Sequence, residues 1–176
     1  EHLRVIIDNN TKIPSRFKFI MGEGDDPLPY LIETAKKLEG YGAEILLIAC
    51  NAAHFFYDQF KKSVNVLILH IARETRSHIL SMDPVPDKVG LIASGSTVKV
   101  GIYQQAFRGL KTKLVLPSIA DQEIIAKTIY QFKNKAEPRE LEGELNRIAY
   151  VLGEKRVQGI ILGCTELPLI LKKSAC

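Results

Sequence analysis

The sequence predicts an α/β protein of two pseudo-symmetric lobes, each a parallel sheet flanked by helices, with the active site expected in the cleft between them. Three observations lead there. Strand-length apolar runs alternate with helix-length amphipathic stretches along nearly the whole chain. The strand runs are continuously apolar, as in Ile45-Leu46-Leu47-Ile48-Ala49 and Ile160-Ile161-Leu162, which marks parallel strands rather than half-exposed ones. Two short cysteine turns, Cys50-Asn51-Ala52-Ala53-His54 and Gly163-Cys164-Thr165-Glu166-Leu167, follow those two runs directly.

The first lobe is assigned to residues 1–83. A strand is expected at residues 3–8, followed by the polar loop Asn9-Asn10-Thr11-Lys12-Ile13-Pro14-Ser15-Arg16. Asp26 is placed to cap a helix that Pro27 starts, since proline suits the first helical position. Leu28, Leu31, Ile32, Ala35 and Leu38 share one face of that helix, and Gly40 and Gly42 end it. A strand over residues 44–49 delivers Cys50. Phe55, Phe56 and Phe60 form a helical stripe after it, and residues 64–69 and 72–80 read as a further strand and helix.

Asp83-Pro84-Val85-Pro86-Asp87 reads as the boundary, because its prolines interrupt both helix and ladder. The second lobe, residues 84–165, repeats the pattern. Strands are expected at residues 89–93, 113–116 and 157–162. A single helix is expected over residues 98–110, with Val98, Ile102, Ala106 and Leu110 in phase. Two more cover residues 121–133 and the stretch from Pro138 through Leu141, Leu145, Ile148 and Leu152. Residues 166–176 are expected to form a C-terminal helix that returns toward the first lobe.

Composition narrows the function classes. In 176 residues the net charge is only +4 and the basic residues are scattered, so no nucleic-acid partner is indicated. No apolar run reaches membrane-spanning length, and Glu1-His2-Leu3-Arg4 does not open a secretory signal. Three widely spaced cysteines make neither a disulfide framework nor a zinc set, which points to a reducing cytoplasm and no metal. No lysine stands beside a phosphate-binding Gly/Ser loop, so no cofactor is expected.

A thiol at the start of a helix is favoured as thiolate by unpaired N–H groups and the helix dipole. One such cysteine is more often a small buried hydrophobe. Two in matching polar turns favour chemistry, and two facing thiols suit moving a proton across a substrate. Cys176 has no supporting motif and reads as incidental, while His70 and His78 read as structural.

The two turns, with Pro168 after the second, resemble the signatures of the aspartate/glutamate racemase superfamily, nearest its aspartate racemase branch. Glu166 stands where glutamate racemases usually have histidine. Asp26-Pro27-Leu28-Pro29, Gly42-Ala43, Ser96-Thr97 and Gly101-Ile102-Tyr103-Gln104 also match residues of the family. The resemblance implies a cofactor-independent isomerase acting on aspartate or glutamate, and a homodimer. It implies Cys50 and Cys164 as the two acid/base residues, with Arg16, Asn51, Ala52, Thr165, Lys133, Ser96 and Thr97 contacting substrate. His54 and Glu166 are implied as supporting groups.

Departures accompany the match. The strand and glycine-rich loop with which family members begin are not seen ahead of the first asparagine pair. Ala52 replaces a usual threonine, and Val100 a common serine. These favour, as an alternative, a catalytically impaired dicarboxylate-binding member. Hydantoin racemase, maleate isomerase and small-acid decarboxylase are neighbouring activities, and a thiol redox pair is a further one.

Overall fold

The computed structural model describes residues 2–171, and the chain divides into two compact units, Glu1–Ile71 and Ala72–Cys176. The division falls ahead of the helix at residues 72–80, whereas the sequence placed it after that helix. The Pro84 and Pro86 loop therefore lies inside the second unit.

In the first unit, α1 (Arg16–Met21) is opened by Ser15, whose Oγ accepts the Lys18 N–H. α2 (Leu28–Gly40) begins as its sequence dictates: Asp26 Oδ1 accepts the Leu28 N–H at 2.9 Å. β1 (Ile45–Leu46) and β2 (Leu67–Ile68) pair in parallel, Ile45 opposite Leu67 and Leu46 opposite Ile68. A tight helical turn (Ala52–Phe56) leads from the β1 side into α3 (Tyr57–Ser63). Leu31 and Ala35 from α2, Leu46 and Ile68 from the strands, and Phe56 and Phe60 make the core.

Two strands are shorter than the apolar runs suggested, and the expected strand at residues 3–8 is not formed. Residues 2–10 carry no regular structure, and Leu3, Val5 and Ile7 are exposed. The reason is that a strand is a ladder of paired N–H and C=O groups. Apolar composition does not supply the partner.

In the second unit, α4 (Ile71–Leu80) starts at the junction and is followed by β3 (Lys88–Ala93). α5 (Gly95–Val100), α6 (Ile102–Ala106) and β4 (Lys113–Val115) come next. α7 (Ile119–Lys133), α8 (Pro138–Glu154), β5 (Ile160–Gly163) and α9 (Leu167–Ile170) complete the described chain. The sheet order is β4-β3-β5, all parallel, with Gly90 opposite Val115 and Ala93 opposite Gly163.

Ile125 and Ile129 of α7 meet Leu145, Ile148 and Leu152 of α8 over Ile92, and Leu167 and Ile170 of α9 join them. Ser118 caps α7, its Oγ accepting the Asp121 N–H, and Arg147 of α8 donates to Asp121 Oδ1 at 2.8 Å. The helix expected over residues 98–110 is instead two, divided at Gly101. That residue has φ +71°, a left-handed conformation that glycine adopts without a Cβ penalty, and periodicity alone does not reveal it. Of the C-terminal helix expected over residues 166–176, α9 forms at Leu167–Ile170 and Leu171 is extended; residues 172–176, with Cys176, lie outside those described.

Candidate functional site

The Cys50 turn is built at the carboxyl ends of the two strands of the first unit. Cys50 is half-buried with a free thiol, while Asn51, Ala52 and His54 are buried. His54 Nε2 accepts the Ile71 N–H at 3.1 Å, so its proton is on Nδ1, which donates to the Cys50 carbonyl at 3.0 Å. The ring thus ties the turn after β1 to the chain leaving β2. Burial lowers the His54 pKa, outweighing its carbonyl contacts with Cys50, Leu69 and Asn51. Burial and the Ile71 N–H donated to Nε2 together favour the neutral ring.

His70 meets this arrangement with tilted and edge-on rings, its centroid 4.9 Å from His54 and 4.7 Å from Tyr57. Asn51 precedes the helical turn without making a side-chain capping bond. Arg16 opens α1, and α1 packs on the turn after Cys50 with Phe19 and Phe56 rings 5.5 Å apart. Its guanidinium is folded onto its own loop, donating to the Pro14 and Ile13 carbonyls at 3.0 and 3.3 Å.

The Cys164 turn is held differently. Gly163, the last residue of β5, admits no side chain: a Cβ there would lie 2.8 Å from Ala93 Cβ and 2.9 Å from Leu91 Cδ1. The next residue, Cys164, is a buried free thiol that donates to Glu166 Oε2 at 2.9 Å. Thr165 Oγ1 donates to the same oxygen at 3.0 Å, and Lys133 Nζ reaches Oε1 at 3.0 Å from the end of α7.

Burial pushes the Cys164 thiol up to about 12, helped by its bond to Glu166 and that carboxylate's charge. The backbone N–H of Glu166 and the Lys133 ammonium act the other way, more weakly. Burial also resists ionising Glu166, but its bonds with Cys164 and Lys133 outweigh this and hold its pKa low. The expectation that a helix start makes Cys164 a thiolate is therefore reversed. α9 starts only at Leu167 and spans four residues, too short a dipole to offset burial beside a carboxylate.

Ser96 and Thr97 are buried in α5, the helix that follows β3. β3 ends at Ala93 opposite Gly163, so the chain leaves the two strands side by side at Ser94 and Cys164. Ser94 caps α5 by accepting the Thr97 N–H, and its Oγ lies 2.9 Å from Thr97 Oγ1 and 3.1 Å from Ser96 Oγ. The motifs of the sequence do not point to Ser94. The signal for it is a serine between an apolar strand and a helix, the ordinary position of a helix cap. His70, which reads as structural in the sequence, has its ring against those of His54 and Tyr57.

A model of the Asp/Glu/Hydantoin racemase family matches residues 1–176. The chain belongs to this family. A glutamate racemase of Aquifex pyrophilus is 29% identical over 154 residues, 85% of this chain and 56% of that protein. The chain thus spans about half the length of that curated relative. The structure aligns with an aspartate racemase of Picrophilus torridus at TM-score 0.80 and 27% identity, over 99% of this chain and 71% of the other. An aspartate racemase homologue from Pyrococcus horikoshii OT3 aligns at TM-score 0.70 and 28% identity, over 85% and 65%. The aspartate racemase branch indicated by the motifs is supported by these structural relatives.

Among the described residues no group of three or more histidine, cysteine or acidic side chains is arranged to hold a metal ion. Nor is any helix among them long and apolar enough to cross a membrane.

Proposed function

We propose that this racemase-family chain interconverts the enantiomers of aspartate or glutamate without a cofactor, using Cys50 and Cys164 as the two acid/base groups. The observation that carries the reading is a free thiol just beyond the carboxyl end of a parallel strand in each unit. Parallel α/β sheets bind ligands at that edge. In the reaction one cysteine, as thiolate, removes the α-proton, and the C–H electron pair passes into the α-carboxylate as an enolate. The other thiol then donates its proton to the opposite face of Cα and becomes the thiolate.

The intermediate needs donors aimed at the α-carboxylate. Asn51, Thr165, Ser96 and Thr97 are proposed for the substrate's polar groups, with Ala52 lining the first turn. A distal carboxylate requires a cation, the part proposed for Arg16 with its planar fork and for Lys133. His54 supports the first turn and Glu166 the second. Homodimer assembly, a cytoplasmic setting and the absence of nucleic-acid partners belong to the same proposal.

The test is α-proton exchange in deuterated water, starting from each enantiomer of aspartate and glutamate. Cys50→Ser and Cys164→Ser should each slow racemisation by about two to four orders of magnitude, the usual contribution of a positioned acid or base. Full activity in either variant overturns the two-cysteine reading. The breadth of the family favours a second substrate class, hydantoins. Loss of optical rotation in a panel of amino acids and hydantoins separates the two.

A further inference from the structure

We infer that Glu166 is a positioning residue that keeps Cys164 as the protonated, acid member of the pair in the resting protein, with Lys133 anchoring Glu166 for that task. This rests on the racemase reading for its purpose, though not for its test. Three donors converge on one carboxylate: the Cys164 thiol and the Thr165 hydroxyl on Oε2, the Lys133 ammonium on Oε1. An acceptor engaged in this way fixes which direction the thiol hydrogen points.

A thiolate at Cys164 would have no hydrogen for Oε2 and would place two negative charges 2.9 Å apart. Like charges this close are costly, so the proton stays on sulfur. The charged groups acting on the thiol are Glu166 from its own turn and Lys133 from α7. Lys133 is half-exposed, its side chain 57% accessible, whereas that of Glu166 is only 19% accessible. The lysine therefore neutralises the carboxylate from the solvent side and leaves its other oxygen for the thiol.

The consequence is an order of events. Cys164 starts as S–H and gives its proton to Cα, while Cys50 starts as the base. Once Cys164 has given up its proton, its repulsion with Glu166 favours taking one back. The asymmetry is built into the second turn, because Cys50 is contacted by His54 only through its backbone carbonyl.

The test reads one thiol directly. In a protein carrying Cys50→Ser and Cys176→Ser, Cys164 is the remaining cysteine of three. Its ionisation is followed through the NMR shift of isotopically labelled cysteine Cβ as pH is raised. Glu166→Gln keeps the shape and removes the charge. It should lower the titration midpoint by about one pH unit or more, the usual effect of a neighbouring charge. Glu166→Asp, which keeps the charge, should shift it less. An unchanged midpoint in Glu166→Gln overturns the inference, as does an equal fall in both variants. These outcomes do not depend on racemisation, so a protein with the expected titration and no proton exchange would overturn only the function proposed above.

Discussion

The two cysteine turns look alike in sequence and are controlled by opposite means. At Cys50 the protein acts on the backbone: a neutral His54 bonds the carbonyl of Cys50 and the amide of Ile71, and the cysteine is half-buried. At Cys164 it acts on the sulfur itself, through a buried thiol bonded to a carboxylate that a lysine holds. A motif that places a cysteine after a strand thus settles where the thiol is. Its protonation is settled by what else reaches the turn.

That contrast can be broken at several points. The largest effects are on chemistry. If the turns are equal partners, Cys50→Ser and Cys164→Ser lose racemisation by similar factors of about two to four decades in steady-state assays. A loss confined to one variant shows that only one turn carries a reacting group.

Next is the backbone beneath Cys164. Gly163→Ala pushes a methyl against Ala93 and Leu91 and should cost about 2–3 kcal/mol in denaturant unfolding, typical of overpacking. Gly153→Ala, in α8 with open space around the added methyl, should instead stabilise by about 0.5–1 kcal/mol. The two variants separate a shape requirement from a general effect of replacing glycine.

At the first turn, His54→Leu leaves the Ile71 amide and the Cys50 carbonyl without the ring that joins them. The loss should be about 1–2 kcal/mol, the scale for an abandoned buried polar group.

The smallest effect is a pH dependence. Because the His54 pKa is lowered by burial, the folded protein binds its proton less readily than the unfolded chain. Its contribution to stability is complete above the unfolded value of 6.5 and is lost as pH falls below it toward the folded value. Unfolding midpoints measured across that range should fall with acidity in the natural sequence and fall less in His54→Leu. A slope that survives the substitution unchanged assigns the acid sensitivity to another group.

Much of the fold was readable from the chain. The cap at Asp26, the stripe from Leu141 to Leu152 and the apolar strands before both cysteines each express a local rule of capping, periodicity or burial. Residues 3–8 show the limit of such rules, since strand composition there meets no ladder partner. Gly101 shows another, because a helical stripe with the correct phase does not report a left-handed residue within it.

The candidate site divides in the same way. Sequence by itself determined the cysteine turns, the residue types around them and the family, since these depend on neighbours along the chain. Only tertiary structure decided that His54 is a neutral brace to Ile71, and that Lys133 meets Glu166 beside the Cys164 thiol. Protonation depends on burial and on charges within a few ångströms, whatever their separation in sequence.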